Sequence, residues 1–127
     1  MILADTHAWL WWLSDRERLS PTAREALEAN QHAICPMTFW EIAMLSNRKR
    51  IELTAPPLEW LKWAVEQAET ILLPITAEIG VLAGTLRSNL IRDPADRLIV
   101  ATAMHHKVPL VTKDGDIRNA QVLKTIW

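Results

Sequence analysis

Short apolar runs alternate along the chain with longer stretches in which apolar residues recur every three or four positions. ILAD (2–5), AICP (33–36), ILLPI (71–75), PLVT (109–112) and VLKTIW (122–127) read as strands. Most are apolar on successive residues, the pattern of a sheet covered on both faces. Between them the spacing predicts helices near residues 7–13, 21–29, 39–49, 57–68, 77–87 and 95–106. Start signals accompany four of these: Ser20 before Pro21, Thr38 before FWEIAML, Pro56-Pro57 before LEWLKWAVEQA, and Thr76 before AEIGVLAGTL. Such alternation implies an α/β fold, with helices packed on a central, mostly parallel sheet of about five strands. No repeat, low-complexity segment or linker interrupts it, so residues 1–127 are expected to form a single domain.

Composition narrows the classes. The 127 residues suffice to bury roughly two thirds of the unfolded surface around one core. No apolar run approaches the roughly 20 residues that span a bilayer, and MILADTHAWL has neither a basic segment nor a small-residue cleavage site, so no membrane association and a cytoplasmic location are expected. The single cysteine, Cys35, can form no internal disulfide and marks a core position in a reducing compartment. A net charge of −1 excludes nucleic-acid binding by bulk positive charge. Any such binding must be local, and Arg48-Lys49-Arg50 is the densest basic cluster, although it also suits the C-terminal end of a helix. Arg87, Arg92 and Arg97 are scattered additions.

The stretch RDPADRLIVATA (92–103) holds two aspartates of different kinds. Asp93 fits an N-cap, Pro94 the first helical position and Asp96 the third. Helical spacing carries Asp96 onto the stripe of Ile99, Val100 and Ala103, so its charge heads an apolar face and needs a partner. Glu41 repeats the oddity, aligned with Met44 and Leu45. In open α/β sheets, ligands bind outside the carboxyl ends of the strands. Four acidic residues map there: Asp5 ends the first strand, Glu41 lies in the first turn of the helix after the second, Asp96 begins the helix feeding the fourth, and Asp114 follows the fourth. Each has a local reading as well: Thr38 to Glu41 and Asp93 to Asp96 match capping boxes, Asp5 can cap the next helix, and Asp114-Gly115 can be a turn. Those readings leave unexplained why four mutually repelling carboxylates converge.

A hard divalent cation resolves the repulsion. Mg²⁺ or Mn²⁺ takes oxygen ligands from a few carboxylates together with waters and substrate phosphates, and the chemistry that follows is phosphodiester cleavage. Zinc fits less well, because His7, His32, His105 and His106 have no HExxH spacing and the lone cysteine has no paired ligand. Phosphate-cradling GxxxxGK[ST] and GxGxxG motifs are absent.

LADT (3–6), T-x-W-E-I (Thr38 to Ile42), DPADRLIVATA (93–103), PLVTKD (109–114) and a closing KTIW occur in the order that resembles PIN-domain proteins, specifically VapC-like toxins of toxin-antitoxin pairs. This resemblance covers nearly the whole chain. It implies a small α/β/α sandwich, an acidic Mg²⁺ or Mn²⁺ site, endoribonuclease activity on cellular RNA, homodimers, and inhibition by a cognate antitoxin. Carried over by position, Asp5, Glu41, Asp96 and Asp114 are the catalytic and metal-binding acids. Asp116 either joins the metal shell, substitutes for Asp114 or faces solvent, and Thr6 and Thr112 are hydrogen-bonding supports.

Seven tryptophans, against one phenylalanine and no tyrosine, add an expectation of partner contact. Trp9/Trp12 and Trp60/Trp63 are pairs three apart on predicted helices, for which core packing is the alternative. A receiver domain would need an acceptor aspartate in ILLPIT, and a haloacid-dehalogenase-like phosphatase a second aspartate where His7 stands, so both fit poorly. A non-catalytic PIN-like binding module is the rival that the residues do not separate from an enzyme.

Overall fold

The computed structural model describes residues 1–87 and 89–127. Its five strands are β1 (Ile2–Ala4), β2 (His32–Ile34), β3 (Ile71–Leu72), β4 (Leu110–Val111) and β5 (Thr125–Ile126), paired in parallel in the order β3-β2-β1-β4-β5. The helices among the described residues are α1 (Thr6–Ser14), α2 (Pro21–Ala29), α3 (Pro36–Asn47), α4 (Pro57–Gln67), α5 (Ala77–Thr85), α6 (Pro94–His106) and α7 (Gly115–Ala120), with a 3-10 turn at Arg16–Arg18.

Every residue of β1, β2 and β4 is buried, so both faces of the sheet are covered. Alternation divides the strand side chains between two cores. Ile2, Ala4, Ile34 and Val111 pack with Trp9, Trp12, Leu27, Ile42 and Leu61 on one face. On the other, Leu3, Ala33 and Leu110 pack with Ile99, Val100, Ala103 and Ile117. The result is the three-layer α/β/α sandwich that the family resemblance implied, and Cys35 is a buried core position.

Several boundaries differ from the sequence reading. α3 begins at Pro36, with Cys35 as its N-cap, rather than after Thr38. Proline's fixed φ suits the first helical turn, and this signal outranks the threonine. Thr38 is fully buried inside α3 and Glu41 lies in the second turn, so they form no capping box. The turn expected at Asp114-Gly115 opens the short helix α7, capped by the Asp114 carboxylate accepting from the Ile117 amide at 2.9 Å. The last expected strand shrinks to Thr125–Ile126 and the third to Ile71–Leu72, as befits edge strands with one neighbour each.

β1 leads to β2 and β3 on one side, and the chain then crosses back so that β4 lies on the other side of β1. The strand order therefore reverses between β1 and β4, where open α/β sheets form their crevice. Arg97 holds the approach to this point. Its guanidinium donates to the carbonyls of Ala83 (2.9 Å), Gly84 (3.3 Å), Leu86 and Ile91 (3.0 Å), tying the end of α5 and the loop after it to the first turn of α6. A planar guanidinium can serve several carbonyls at once, whereas lysine offers only a point charge. Arg97→Met is expected to lower stability by roughly 2 to 4 kcal/mol. Urea unfolding measures this, and a change within about 0.5 kcal/mol, the range of an ordinary surface substitution, would contradict the role.

Candidate active site

The crevice between β1 and β4 opens into a hollow of about 590 Å³, and its walls include Asp5, Thr6, Glu41, Asp93, Asp96 and Asp114. All four acids assigned from sequence thus face one space. Ile99, the apolar neighbour expected beneath Asp96, lines it too. Asp116 lies in the first turn of α7, exposed and outside the hollow. A larger cleft of about 780 Å³ sits at the far end of α1, against α2 and α4, and holds none of these four acids.

Each wall residue is placed by the local physics of its element. Asp5 follows β1 directly and caps α1, its Oδ1 accepting from the Ala8 amide at 3.0 Å. Its other oxygen accepts a hydrogen bond from the Thr112 hydroxyl, which reaches across from the end of β4. The same Thr112 oxygen accepts from the Asp114 amide at 3.1 Å, so one buried hydroxyl orients two of the acids. Thr6, also buried, donates to Glu41 Oε1 at 2.7 Å and shares a 3.0 Å contact with the Thr38 hydroxyl. Both threonines named from sequence therefore touch the acids. Asp93 is the N-cap of α6, accepting from the Asp96 amide at 3.0 Å, and this leaves the Asp96 carboxylate to the hollow.

The local capping readings and the convergent reading hold together at Asp5 and Asp114, and Asp93, read only as a cap, lines the hollow as well. A helix N-terminus stabilises a carboxylate through unpaired amides and the helix dipole, which permits negative charge to be gathered at three neighbouring helix starts. The cluster is still electrostatically costly. Burial is the largest cause raising the Asp5 pKa, and it outweighs the amide and Thr112 hydrogen bonds that pull it down. Glu41 is raised by burial first, against the opposing Thr6 bond, and further by Asp5. Asp96 is pushed up to about 7, by burial and then by Asp93, Asp114, Glu41 and Asp5.

That imbalance is what a bound cation relieves. The donor set is all oxygen, with Asp5 buried and Glu41, Asp96 and Asp114 half-buried, and it lines a hollow. Among the described residues, no three His, Cys, Asp or Glu side chains are drawn together tightly enough to enclose an ion alone. The oxygen chemistry of the set fits Mg²⁺ or Mn²⁺, which takes a few carboxylates and fills its remaining positions with water and phosphate oxygens.

Sequence reasoning did not assign His7, Trp11 and Lys113 to this space, yet all three line it. Lys113 sits immediately before Asp114, and His7 and Trp11 are four apart on α1, so each was within reach of an assigned acid. No pattern distinguished them without the fold.

The chain belongs to the PIN-domain family, whose model matches residues 2–123. It is similar to Ribonuclease VapC22 of Mycobacterium tuberculosis, at 38% identity over 129 residues, spanning 99% of this chain and 98% of that protein. Among solved structures, a toxin-antitoxin complex from Klebsiella pneumoniae superposes with a TM-score of 0.71 at 22% identity, covering 100% of this chain and 97% of that one. VapBC2 from Rickettsia felis, bound to a DNA fragment from its promoter, also gives 0.71, at 18% identity with 98% and 97% covered. These two likenesses concern the fold.

The raised acid at Asp96 has a consequence for stability. Its folded-state pKa, about 7, exceeds the ordinary 3.8, so the folded protein holds a proton that the unfolded chain releases in between. The resulting stabilisation is complete at acid pH below 3.8 and is lost as pH rises through about 7. Without metal, thermal melts of the wild type should show stability falling over that window, and Asp96→Asn should flatten the fall. An equally steep decline in the variant would contradict this.

Proposed function

We propose that this protein is a metal-dependent endoribonuclease, the toxin half of a toxin-antitoxin pair. The observation that carries the proposal is the convergence of Asp5, Glu41, Asp96 and Asp114 on one hollow at the reversal point of the sheet. Family membership and the relative named as a ribonuclease add support. Asp5, Asp96 and Asp114, with Glu41 beside them, would hold Mg²⁺ or Mn²⁺. When bound, such an ion supplies neutralisation of phosphate charge and acidification of a water.

The chain's own residues do the rest. Thr112 and the Ala8 amide fix the Asp5 carboxylate in direction. Thr6 fixes Glu41 through Oε1, which leaves Oε2 to take a proton from a water attacking phosphorus, a role suited to a carboxylate whose pKa is raised by burial. Lys113 brings a positive charge to the wall where a phosphate would sit. Preorganisation matters because a small misplacement of a reacting group can cost about 100-fold in rate.

Cleavage of RNA should vanish in excess EDTA and return with Mg²⁺ or Mn²⁺, and Asp5→Asn and Asp96→Asn should each be inactive though folded. Mg²⁺ should also raise the melting temperature of Asp96→Asn less than that of the wild type, since a ligand of the folded state stabilises in proportion to its affinity. Undiminished cleavage in EDTA by protein purified beside an inactive Asp5→Asn control would refute metal dependence.

The reading extends to partners. Trp40, Leu58, Trp63 and Val81 are 55%, 59%, 56% and 68% exposed, apolar surface of the kind that a homodimer contact or an antitoxin covers. Trp9 and Trp12, by contrast, are core residues. Light scattering at micromolar concentration should show a dimer, and co-expression with an adjacent small reading frame should abolish toxicity. A monomer that no neighbouring product neutralises would contradict this part of the proposal. No helix among the described residues is long and apolar enough to cross a membrane.

A further inference from the structure

Three tryptophans on α1 occupy three different environments. Trp9 is fully buried, with its indole N–H donating to the Thr70 hydroxyl at 3.0 Å. Trp12 is 9% exposed and closed by Arg16, whose guanidinium carbon lies 3.6 Å from the ring centroid. Trp11 is half-buried, and it alone of the three lines the acidic hollow. It also lines an adjoining groove of about 420 Å³ that carries Arg18 and Arg50.

The cations near Trp11 stand farther off than Arg16 does from Trp12. Lys113 Nζ is 5.8 Å and the Arg18 guanidinium carbon 5.7 Å from the ring centroid. Both are within cation–π range yet too distant to seal the ring as a close stack would. The His7 and Trp127 rings approach at a tilt, 53° and 56°, with centroids 5.9 Å away, so neither lies flat against the indole.

A polyanion is repelled by four carboxylates, so its affinity must come from beside them. Single-stranded nucleic acid is held where an aromatic face for a base adjoins cations for its phosphates. Lys113 is exposed and takes part in neither of the two ion pairs found among the described residues. Among the described residues Arg18 pairs with exposed Asp15 at 3.5 Å, a contact of little energetic weight. We propose that Trp11 is the stacking platform for the RNA nucleotide next to the cleaved phosphodiester, with Lys113 and Arg18 receiving the phosphates that flank it. The proposal rests on the nuclease reading above. Leu10, Leu45 and Leu53 in the groove would also suit a peptide. The gathering of cations around one half-buried indole that lines an acidic hollow favours RNA.

The test uses a fluorescein-labelled, mixed-sequence single-stranded RNA, with cleavage followed in Mg²⁺ and binding in EDTA. Trp11→Ala should raise KM on the order of tenfold with kcat little changed, and Trp11→Phe, which keeps an aromatic face, should restore most of it. Lys113→Gln should weaken binding and reduce the slope of log Kd against log salt by about one. An unchanged KM in folded Trp11→Ala, or a loss confined to kcat, would overturn the proposal. Should Trp11→Ala fail to fold, Lys113→Gln decides: unchanged binding and an unchanged salt slope overturn it. Weaker neutralisation by the adjacent reading frame's product, with RNA KM unaltered, would also overturn it and assign Trp11 to a protein partner. A wild type that neither binds nor cleaves RNA would refute the nuclease reading itself, before any substitution is made.

Discussion

The burial of one carboxylate at the end of the central strand is the constraint on which the site depends. Asp5 is 9% exposed, and it sits where β1 stops and α1 starts. An ionised group there is tolerable only if its oxygens are occupied. One is taken by the first turn of α1 and the other by Thr112 at the end of β4. The two strands that flank the reversal point are thus joined by a side-chain bond as well as by their ladder, and the same Thr112 fixes the Asp114 amide. The Asp5 and Thr112 side chains thus link the ends of β1 and β4 to the starts of α1 and α7.

Around that bond, stability and function are in tension. Helix N-termini lower the cost of collecting Asp5, Asp93 and Asp114, and the threonine pair Thr6 and Thr38 holds Glu41 among buried neighbours. These devices do not cancel the cost, because burial first and the neighbouring carboxylates second push the Asp96 pKa up to about 7. The fold supplies enough stability elsewhere, through two cores on either side of the sheet and the Arg97 clasp, to hold the acids in an arrangement they would not choose. Perturbed pKa values of this kind mark functional sites more often than structural ones.

Much of this was legible in the sequence. Consecutive apolar residues in ILAD and PLVT announced doubly covered strands, and Pro94 behind Asp93 announced α6 with Asp96 on its inner face. The order of the four acids carried the family. Other features were hidden for physical reasons. Thr38 looked like a cap because it precedes an apolar run, but Pro36 starts the helix two residues sooner and turns Thr38 inward to Thr6, 32 residues away in the chain. α7 is only six residues long, too short for helical periodicity to show. Trp11, His7 and Lys113 owe their place at the site to contacts across the fold, between α1 and the end of β4, which local spacing does not encode.

Burial, and after it the proximity of the other acids, disfavours the charged form of Asp96 until a cation joins them. Carbon-detected NMR titration of the aspartate and glutamate side chains, with and without Mg²⁺, measures this residue by residue. The account predicts that the Asp96 carboxyl titrates near 7 in metal-free protein and shifts toward its ordinary 3.8 when Mg²⁺ is added. An Asp96 that titrates close to 3.8 without metal and does not respond to Mg²⁺ would contradict it.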